Sequence, residues 1–96
     1  MENFGFVYDK MSENYNALEQ MMGTIYQQLI EDPTNENTKN ILAGLGDIGK
    51  KMLSSQSDFV SIYAEPNQKE TLLARLDDKI QVLSNALEET NHKTRM

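Results

Sequence analysis

The sequence predicts an all-α protein, and three observations carry that prediction. Apolar residues recur every three or four positions over most of the chain, which is the spacing of one face of a helix. Two prolines divide the chain into three segments that are long enough for helices. Turn residues and β-branched residues are too few for a β-sandwich or a barrel. We expect an antiparallel three-helix bundle or, alternatively, a long helical hairpin whose third helix packs on a second copy.

The length of the chain fits a single domain, since 96 residues can enclose one small hydrophobic core. We expect this helical domain to span residues 1–88. Its helices are predicted at about 3–31, 34–64 and 67–88. Residues 89–96 are predominantly polar and are predicted to form a flexible tail.

The first helix carries the longest apolar stripe, and the rest of the chain is expected to pack on it. The stripe advances in alternating steps of four and three residues, as in helices that lie along a partner helix. Asn3 is a suitable N-cap residue, and Pro33 ends the segment because it disfavours helical backbone at Asp32. The stripe consists of Phe4, Tyr8, Met11, Tyr15, Leu18, Met22, Ile25 and Leu29.

The second segment keeps the same spacing but contains residues that weaken a helix. Glycine in a helix interior costs about 1 kcal/mol relative to alanine, and this segment has three glycines followed by a polar, serine-rich stretch. We therefore expect helix 2 to be bent or split, either near Gly44–Gly49 or near Ser54–Ser57. Its predicted stripe consists of Ile41, Leu45, Ile48, Met52, Phe59 and Ile62, with Ser55 as its polar member.

The third segment has the strongest helix propensity, since leucine, alanine and long charged residues dominate it and glycine is absent. Pro66 marks the break before it, and Asn67 with Glu70 is typical of a capping box. The predicted stripe consists of Leu73, Leu76, Ile80, Leu83 and Leu87, and Leu72, Val82 and Ala86 widen it.

Composition excludes several kinds of chemistry. The chain has no cysteine, so disulfides, thiolate catalysis and cysteine-bound zinc are excluded, and it has one histidine, His92. The adjacent acids Asp77 and Asp78 do not face each other on a helix, so they do not form a catalytic carboxylate pair. We predict a protein that is not an enzyme and binds no cofactor and no metal.

Charge and hydropathy restrict the partners. The net charge of −6 is concentrated in residues 1–40, and an acidic surface argues against binding nucleic acid. No apolar run is long enough to span a membrane, and no signal peptide is visible. We expect a cytoplasmic protein of a bacterial or virus-infected cell, which binds a protein partner or forms a homo-oligomer, and binds neither nucleic acid nor membrane.

One string resembles a known ligand-binding motif. Residues 44–49 read GLGDIG, which resembles the G-x-G-x-x-G fingerprint of dinucleotide-binding folds. A short apolar run precedes it, and a second apolar run that ends near Glu65 follows about twenty residues later, as in the order strand, turn, helix, strand, acid. The resemblance implies a nucleotide-binding turn at Gly44, Gly46 and Gly49. Alternatively, Gly44 and Gly49 flank stripe positions, where a missing side chain lets helices approach closely.

The leading prediction is a small acidic helical protein–protein interaction module that acts through its apolar helix faces as a chaperone, adaptor or assembly subunit. The expected architecture is similar to that of the small acidic helical chaperones of flagellar and type III secretion. A viral or mobile-element accessory protein with a structural or inhibitory role is equally compatible. Methionine-rich surfaces adapt to varied partner helices. The candidate protein-binding residues lie on or beside the stripe of helix 1 and are Phe6, Tyr8, Met11, Tyr15, Met21, Met22 and Tyr26.

Overall fold

The computed structural model describes residues 3–93 of the chain, and the side chains of residues 3–90. It contains three α-helices of 28 residues each, which are α1 (Phe4–Glu31), α2 (Glu36–Tyr63) and α3 (Pro66–Lys93). No strand occurs among residues 3–93. The prediction of an all-α three-helix protein is therefore confirmed.

α1 and α2 pack antiparallel along their whole length. The ring of Phe4 at the start of α1 stacks on Phe59 near the end of α2, with the ring centroids 5.1 Å apart. The side-chain nitrogen of Gln56 donates a hydrogen bond to the backbone carbonyl oxygen of Tyr8, at 3.3 Å. Residue numbers therefore fall along α2 as they rise along α1.

α2 and α3 are also antiparallel, so that the chain runs up, down and up. Gly46 of α2 lies against Leu87, and Gly49 lies against Leu83. No Cα atom of α1 lies within 8 Å of a Cα atom of α3 in the described helices. α2 is therefore the central helix and holds both neighbours, and the molecule measures 49 × 19 × 14 Å along its principal axes.

The core consists of one face from each helix. On α1 it follows the predicted stripe, whereas on α2 it lies on the row beside the predicted one. The isoleucines Ile41, Ile48 and Ile62 are half or more exposed, at 51%, 50% and 68%. The buried face of the central helix contacts both neighbouring helices. Glycines on this face allow close approach, and a glutamine on it forms hydrogen bonds with α1. The buried row of α2 consists of Thr38, Leu42, Gly46, Gly49, Leu53, Gln56 and Val60.

α2 is one uninterrupted helix from Glu36 to Tyr63, and the prediction that it is split is wrong. Both candidate breakpoints, Gly44–Gly49 and Ser54–Ser57, are helical. Burial of Gly46 against α3, and of Gly49 against both α1 and α3, supplies packing energy that outweighs their low helix propensity. The milder alternative, a bend without a break, stays a prediction.

The two connections are short and are closed by local hydrogen bonds. Asn35 caps α2, because its side-chain oxygen accepts a hydrogen bond from the backbone N–H of Thr38 at 3.2 Å. Pro66 is the first residue of α3, a position where its missing N–H costs nothing. Each of the two prolines therefore lies at a connection between helices, as the sequence predicts.

α3 continues beyond its predicted end at residue 88. Residues 89–93, which were expected to begin the polar tail, form the last turn of α3. Thr90 is buried, and its hydroxyl donates a hydrogen bond to the backbone carbonyl oxygen of Ala86 at 2.8 Å. The rest of the predicted tail, residues 94–96, lies outside the described residues.

Candidate functional site

A groove lies between α1 and α3, because both helices pack on α2 and no Cα atom of one lies within 8 Å of a Cα atom of the other. Its volume is about 460 Å³, and apolar surface predominates in it. Leu42 of the central helix contributes to its floor. The walls consist of Tyr15, Glu19, Met22, Gly23 and Tyr26 from α1, and of Asp78, Lys79, Val82, Leu83, Ala86, Leu87, Glu89 and Thr90 from α3.

Small residues leave empty space between the two walls of the groove. Gly23 lies on the α1 wall, and a Cβ atom built there would meet nothing within 4 Å. Ala86 on the α3 wall is exposed. Longer side chains at these two positions would project into the groove and fill part of it.

Next to the groove, the three helices meet closely at Gly49. A Cβ atom built on Gly49 would lie 3.1 Å from a methyl carbon of Leu83 and 3.3 Å from a methyl carbon of Leu18. One glycine of α2 therefore touches a leucine of α3 and a leucine of α1. This contact fixes how far α1 and α3 stand from each other at one end of the groove.

Tyr15 combines a buried ring with a polar end at the groove wall. Its side chain is 3% exposed, and the ammonium group of Lys79 lies 5.9 Å from its ring centroid, a cation–π contact between α1 and α3. Burial, and secondarily the charge of Glu19, raises the pKa of the Tyr15 hydroxyl above its usual value. Tyr15 therefore belongs to the core and also contacts α3 beside the groove.

The rim of the groove is predominantly acidic. Glu19 on α1 and Asp78 and Glu89 on α3 are exposed lining residues, and Lys79 is the basic residue among those that line the groove. An apolar centre with a charged rim is the general pattern of sites that bind another protein chain.

Three of the seven predicted binding residues come together in this groove. Tyr15 and Met22 are buried on its α1 wall, and Tyr26 is half-buried beside them. Their shared position follows from the stripe of α1, since Tyr15 and Met22 are seven residues apart and Tyr26 is one turn further on.

The other four predicted residues do not line the groove. Phe6 and Met21 are 66% and 53% exposed. They are fifteen positions apart on α1, or about 22 Å, so they do not share one patch. Tyr8 is half-buried and stacks on Phe4, with the ring centroids 5.8 Å apart. Met11 is half-buried on the same stripe.

None of the seven predicted binding residues lies on the α3 wall. Val82 is 60% exposed and Ala86 is exposed, although both belong to an otherwise apolar stretch. The signal that could have found them is the width of the stripe on α3, because a face broader than one neighbouring helix needs leaves apolar residues uncovered.

The glycine string forms no nucleotide-binding turn. Gly44, Gly46 and Gly49 lie inside α2, and none of the described glycines has a positive φ angle. Their backbone groups are committed to the helix, and no strand precedes them within residues 3–93. Close helix approach occurs at Gly46 and Gly49, whereas a Cβ atom at Gly44 would meet open space.

No model of a known protein family, no curated protein and no solved structure matches this chain. Within the described helices, none is both long and apolar enough to cross a membrane. Among the described side chains, no group of three or more histidine, aspartate and glutamate residues is placed to hold a metal ion. The geometry of the groove is therefore the basis for a functional interpretation.

Proposed function

We propose that the protein is a protein–protein interaction module whose groove between α1 and α3 binds an α-helical segment of another polypeptide. The observation that carries this proposal is the open apolar groove between two helices that both pack on α2 and have no Cα atoms within 8 Å of each other. Helices in bundles pack about 8–10 Å apart. A further helix seated between α1 and α3 would complete a four-helix arrangement and cover the apolar walls.

The dimensions of the groove suit about three turns of helix. Its lining extends from Tyr15 to Tyr26 on α1 and from Asp78 to Thr90 on α3, which corresponds to about 16 and 18 Å at 1.5 Å per residue. Helix-in-groove recognition uses apolar anchors spaced three or four residues apart on the bound helix. Three or four such anchors fit this length.

The side chains of the α1 wall are of the kinds that bind helices. Met22 is unbranched and adapts its shape to different apolar partners. Tyr15 and Tyr26 offer a large apolar ring together with a hydroxyl that can reach a polar neighbour. Binding of this kind needs no catalytic group, and chaperones, adaptors and assembly subunits all use it.

A pair of glycine variants tests the proposal. Gly23→Phe places a ring in the groove, whereas Gly44→Phe places the same ring on α2 outside the groove. Both sites lie in helix interiors with free space around a Cβ atom, so both variants are expected to fold. The probes are fluorescein-labelled amphipathic peptides of about 15 residues, long enough for three to four helical turns.

We expect the wild-type protein and Gly44→Phe to bind at least one of these peptides with similar affinity in a fluorescence anisotropy titration. We expect Gly23→Phe to bind it at least about tenfold more weakly. Circular dichroism of each variant checks that it is folded. Equal binding by Gly23→Phe and Gly44→Phe would show that the peptide does not occupy the groove.

A further inference from the structure

We infer that two copies of the chain pair through the face that α1 and α2 share on the side away from α3. The pairing is antiparallel and two-fold symmetric, with Gly44 of each copy at the closest approach of the two α2 helices. The inference goes beyond the proposed function and does not depend on it, because this face is separate from the groove. Exposed apolar side chains, their spacing, the charge of the face and its size support it.

Exposed apolar side chains on α2 define one half of this face. The uncovered isoleucine row of α2 consists of Ile41, Ile48 and Ile62, which are 51%, 50% and 68% exposed. Phe59 is eleven positions after Ile48 and therefore lies on nearly the same side of α2. Its ring stacks on Phe4 of α1. The isoleucine row therefore lies on the side of α2 that borders α1.

The face lies on the opposite side of α1 and α2 from their contacts with α3. Met21 of α1 is 53% exposed, and it lies two positions from both Glu19 and Gly23, which line the groove. Two positions turn a helix by about 200°. Ile48 is likewise two positions from Gly46, which packs against α3. Pairing through this face therefore leaves the groove of each copy open, and the dimer carries two grooves.

The spacing of the apolar residues suits a second copy of the same face. A two-fold axis midway between Ile41 and Ile48 places each of these isoleucines opposite the other isoleucine of the second copy. Met21 lies close to the level of this axis, since Leu18 of α1 meets Gly49 of α2 and the two helices are antiparallel. The axis therefore brings three apolar side chains of each copy against those of the other, as in an isologous interface.

Gly44 lies next to this midpoint and makes no side-chain contact within one copy. It is exposed in the interior of α2, where glycine lowers helix stability, and a Cβ atom built on it would meet nothing within 4 Å. The gap that it leaves between two exposed isoleucines lets a second α2 helix approach closely. The dimer thus accounts for a glycine that the fold of one copy does not require.

Charge permits this pairing although the chain has a net charge of −6. On α2, the charged residue at the margin of the face is Lys51. The two-fold axis separates Lys51 of one copy from Lys51 of the other by thirteen positions, or about 20 Å along the helices, so these like charges do not meet. Between residues 14 and 28 of α1, the positions that share the face with Met21 are uncharged, and they are Asn14, Ala17, Thr24 and Gln28.

The size of the face suits a reversible dimer. Residues 14–28 of α1 and 37–52 of α2 each extend about 22 Å, and two neighbouring helices are together about 20 Å wide. The accessible surface of a helical face exceeds its flat footprint, so the pair of faces buries about 1,000 Å² in total, which is the lower end of the range for specific interfaces. We therefore expect a dissociation constant in the micromolar range.

Sedimentation equilibrium of the full-length chain tests the inference at concentrations from about 5 to about 500 μM, which span a micromolar dissociation constant. We expect the average mass to rise with concentration from 11.0 kDa towards twice that value. A constant mass of 11.0 kDa over the whole range would overturn the inference and would leave the proposed function untouched.

A matched pair of charge variants locates the interface on α2. Ile48→Glu places a carboxylate within the face, whereas Ser54→Glu places one at another exposed position of α2, about 120° further around the helix. We expect the dissociation constant of the dimer to increase at least about tenfold for Ile48→Glu and less than about threefold for Ser54→Glu. Circular dichroism checks that both variants are folded. Equal effects of the two variants would show that the copies do not pair through this face.

Two glycine variants separate the face from the groove. Gly44→Phe fills the gap at the closest approach, and we expect it to weaken dimerisation at least about tenfold and to leave peptide binding unchanged. Gly23→Phe is expected to weaken peptide binding and to leave dimerisation unchanged. If no peptide binds but the dimer responds as expected, the proposed function fails and the inference stands. If Gly23→Phe dissociates the dimer and Gly44→Phe does not, the copies pair through the groove, and both fail.

Discussion

α1 has two neighbours in this fold and meets them in different ways. Against α2 it forms a closed interface, in which Leu53 and Val60 are fully buried and Gln56 is 1% exposed. Towards α3 it leaves an open groove. Beside this groove the ammonium group of Lys79 on α3 lies over the ring of Tyr15 on α1. The same helix therefore contributes one face to the core and one wall to a surface site.

Hydrogen bonding makes the closed interface specific. The side-chain nitrogen of Gln56 donates to the hydroxyl of Ser12 at 2.8 Å and to the backbone carbonyl oxygen of Tyr8 at 3.3 Å. A buried amide without such partners would cost about 1–3 kcal/mol, so these bonds favour one register of α1 on α2. The groove has no comparable constraint in the described structure. α2 therefore supplies stability, while the space that α2 leaves between its neighbours is available for binding.

The largest difference in the free energy of unfolding is expected between truncating a side chain in the core and truncating one in the groove. Leu53→Ala removes a side chain that is 0% exposed, and such cavities cost about 2–5 kcal/mol. Val82→Ala removes methyl groups from a groove residue that is 60% exposed, and we expect a change of less than about 0.5 kcal/mol. Urea unfolding measures both free energies. Similar losses in the two variants would show that the groove wall is part of the core.

A second contrast uses the same substitution at two glycines. Gly49→Leu places a large side chain against Leu83 and Leu18, which already crowd a Cβ atom there, and overpacking costs about 1–3 kcal/mol. Gly23→Leu has open space around it and gains helix propensity, so we expect stabilisation of up to about 1 kcal/mol. Thermal unfolding followed by circular dichroism compares the two. If both variants were stabilised, or both destabilised, the expected difference between the contact at Gly49 and the groove wall at Gly23 would be contradicted.

The smallest effect is expected from pH. Burial and the charge of Glu19 raise the pKa of Tyr15 in the folded protein, whereas an unfolded tyrosine has its usual pKa of 10.0. Above that pH the unfolded chain binds fewer protons than the folded protein, so the free energy of unfolding decreases. We expect Tyr15→Phe to lose part of this decrease in urea titrations across the alkaline range. An unchanged pH profile in Tyr15→Phe would show that Tyr15 is not the residue responsible.

Sequence patterns were sufficient to predict the helices of this fold and two of its core faces, those of α1 and α3. The stripe of α1 points inward as predicted, with Tyr15, Leu18, Met22 and Leu29 buried. On α2 two adjacent rows carry apolar residues, and periodicity favours the row with more isoleucine. The other row is buried because the central helix needs glycine contacts on both sides, which depends on a topology that local patterns do not contain.

The predicted binding residues lie on one wall of the groove only. The predicted stripe of α1 includes Tyr15 and Met22, and Tyr26 lies next to it. Val82 and Ala86 on α3 have no distinguishing local pattern, since they widen a stripe that also serves the core. They line the groove because α1 and α3 stand apart. The distance between two helices that both pack on a third is not encoded in any short-range feature of the sequence.

The most direct measurement is a nuclear magnetic resonance titration of the isotope-labelled full-length chain with an amphipathic peptide of about 15 residues that it binds. If the groove between α1 and α3 binds the helix, the largest amide shift changes will occur at Gly23, Val82 and Ala86, on both walls. Amides of the uncovered isoleucine row of α2, such as those of Ile48 and Ile62, will change little. The largest changes on that isoleucine row, with none at Gly23, would contradict the central claim.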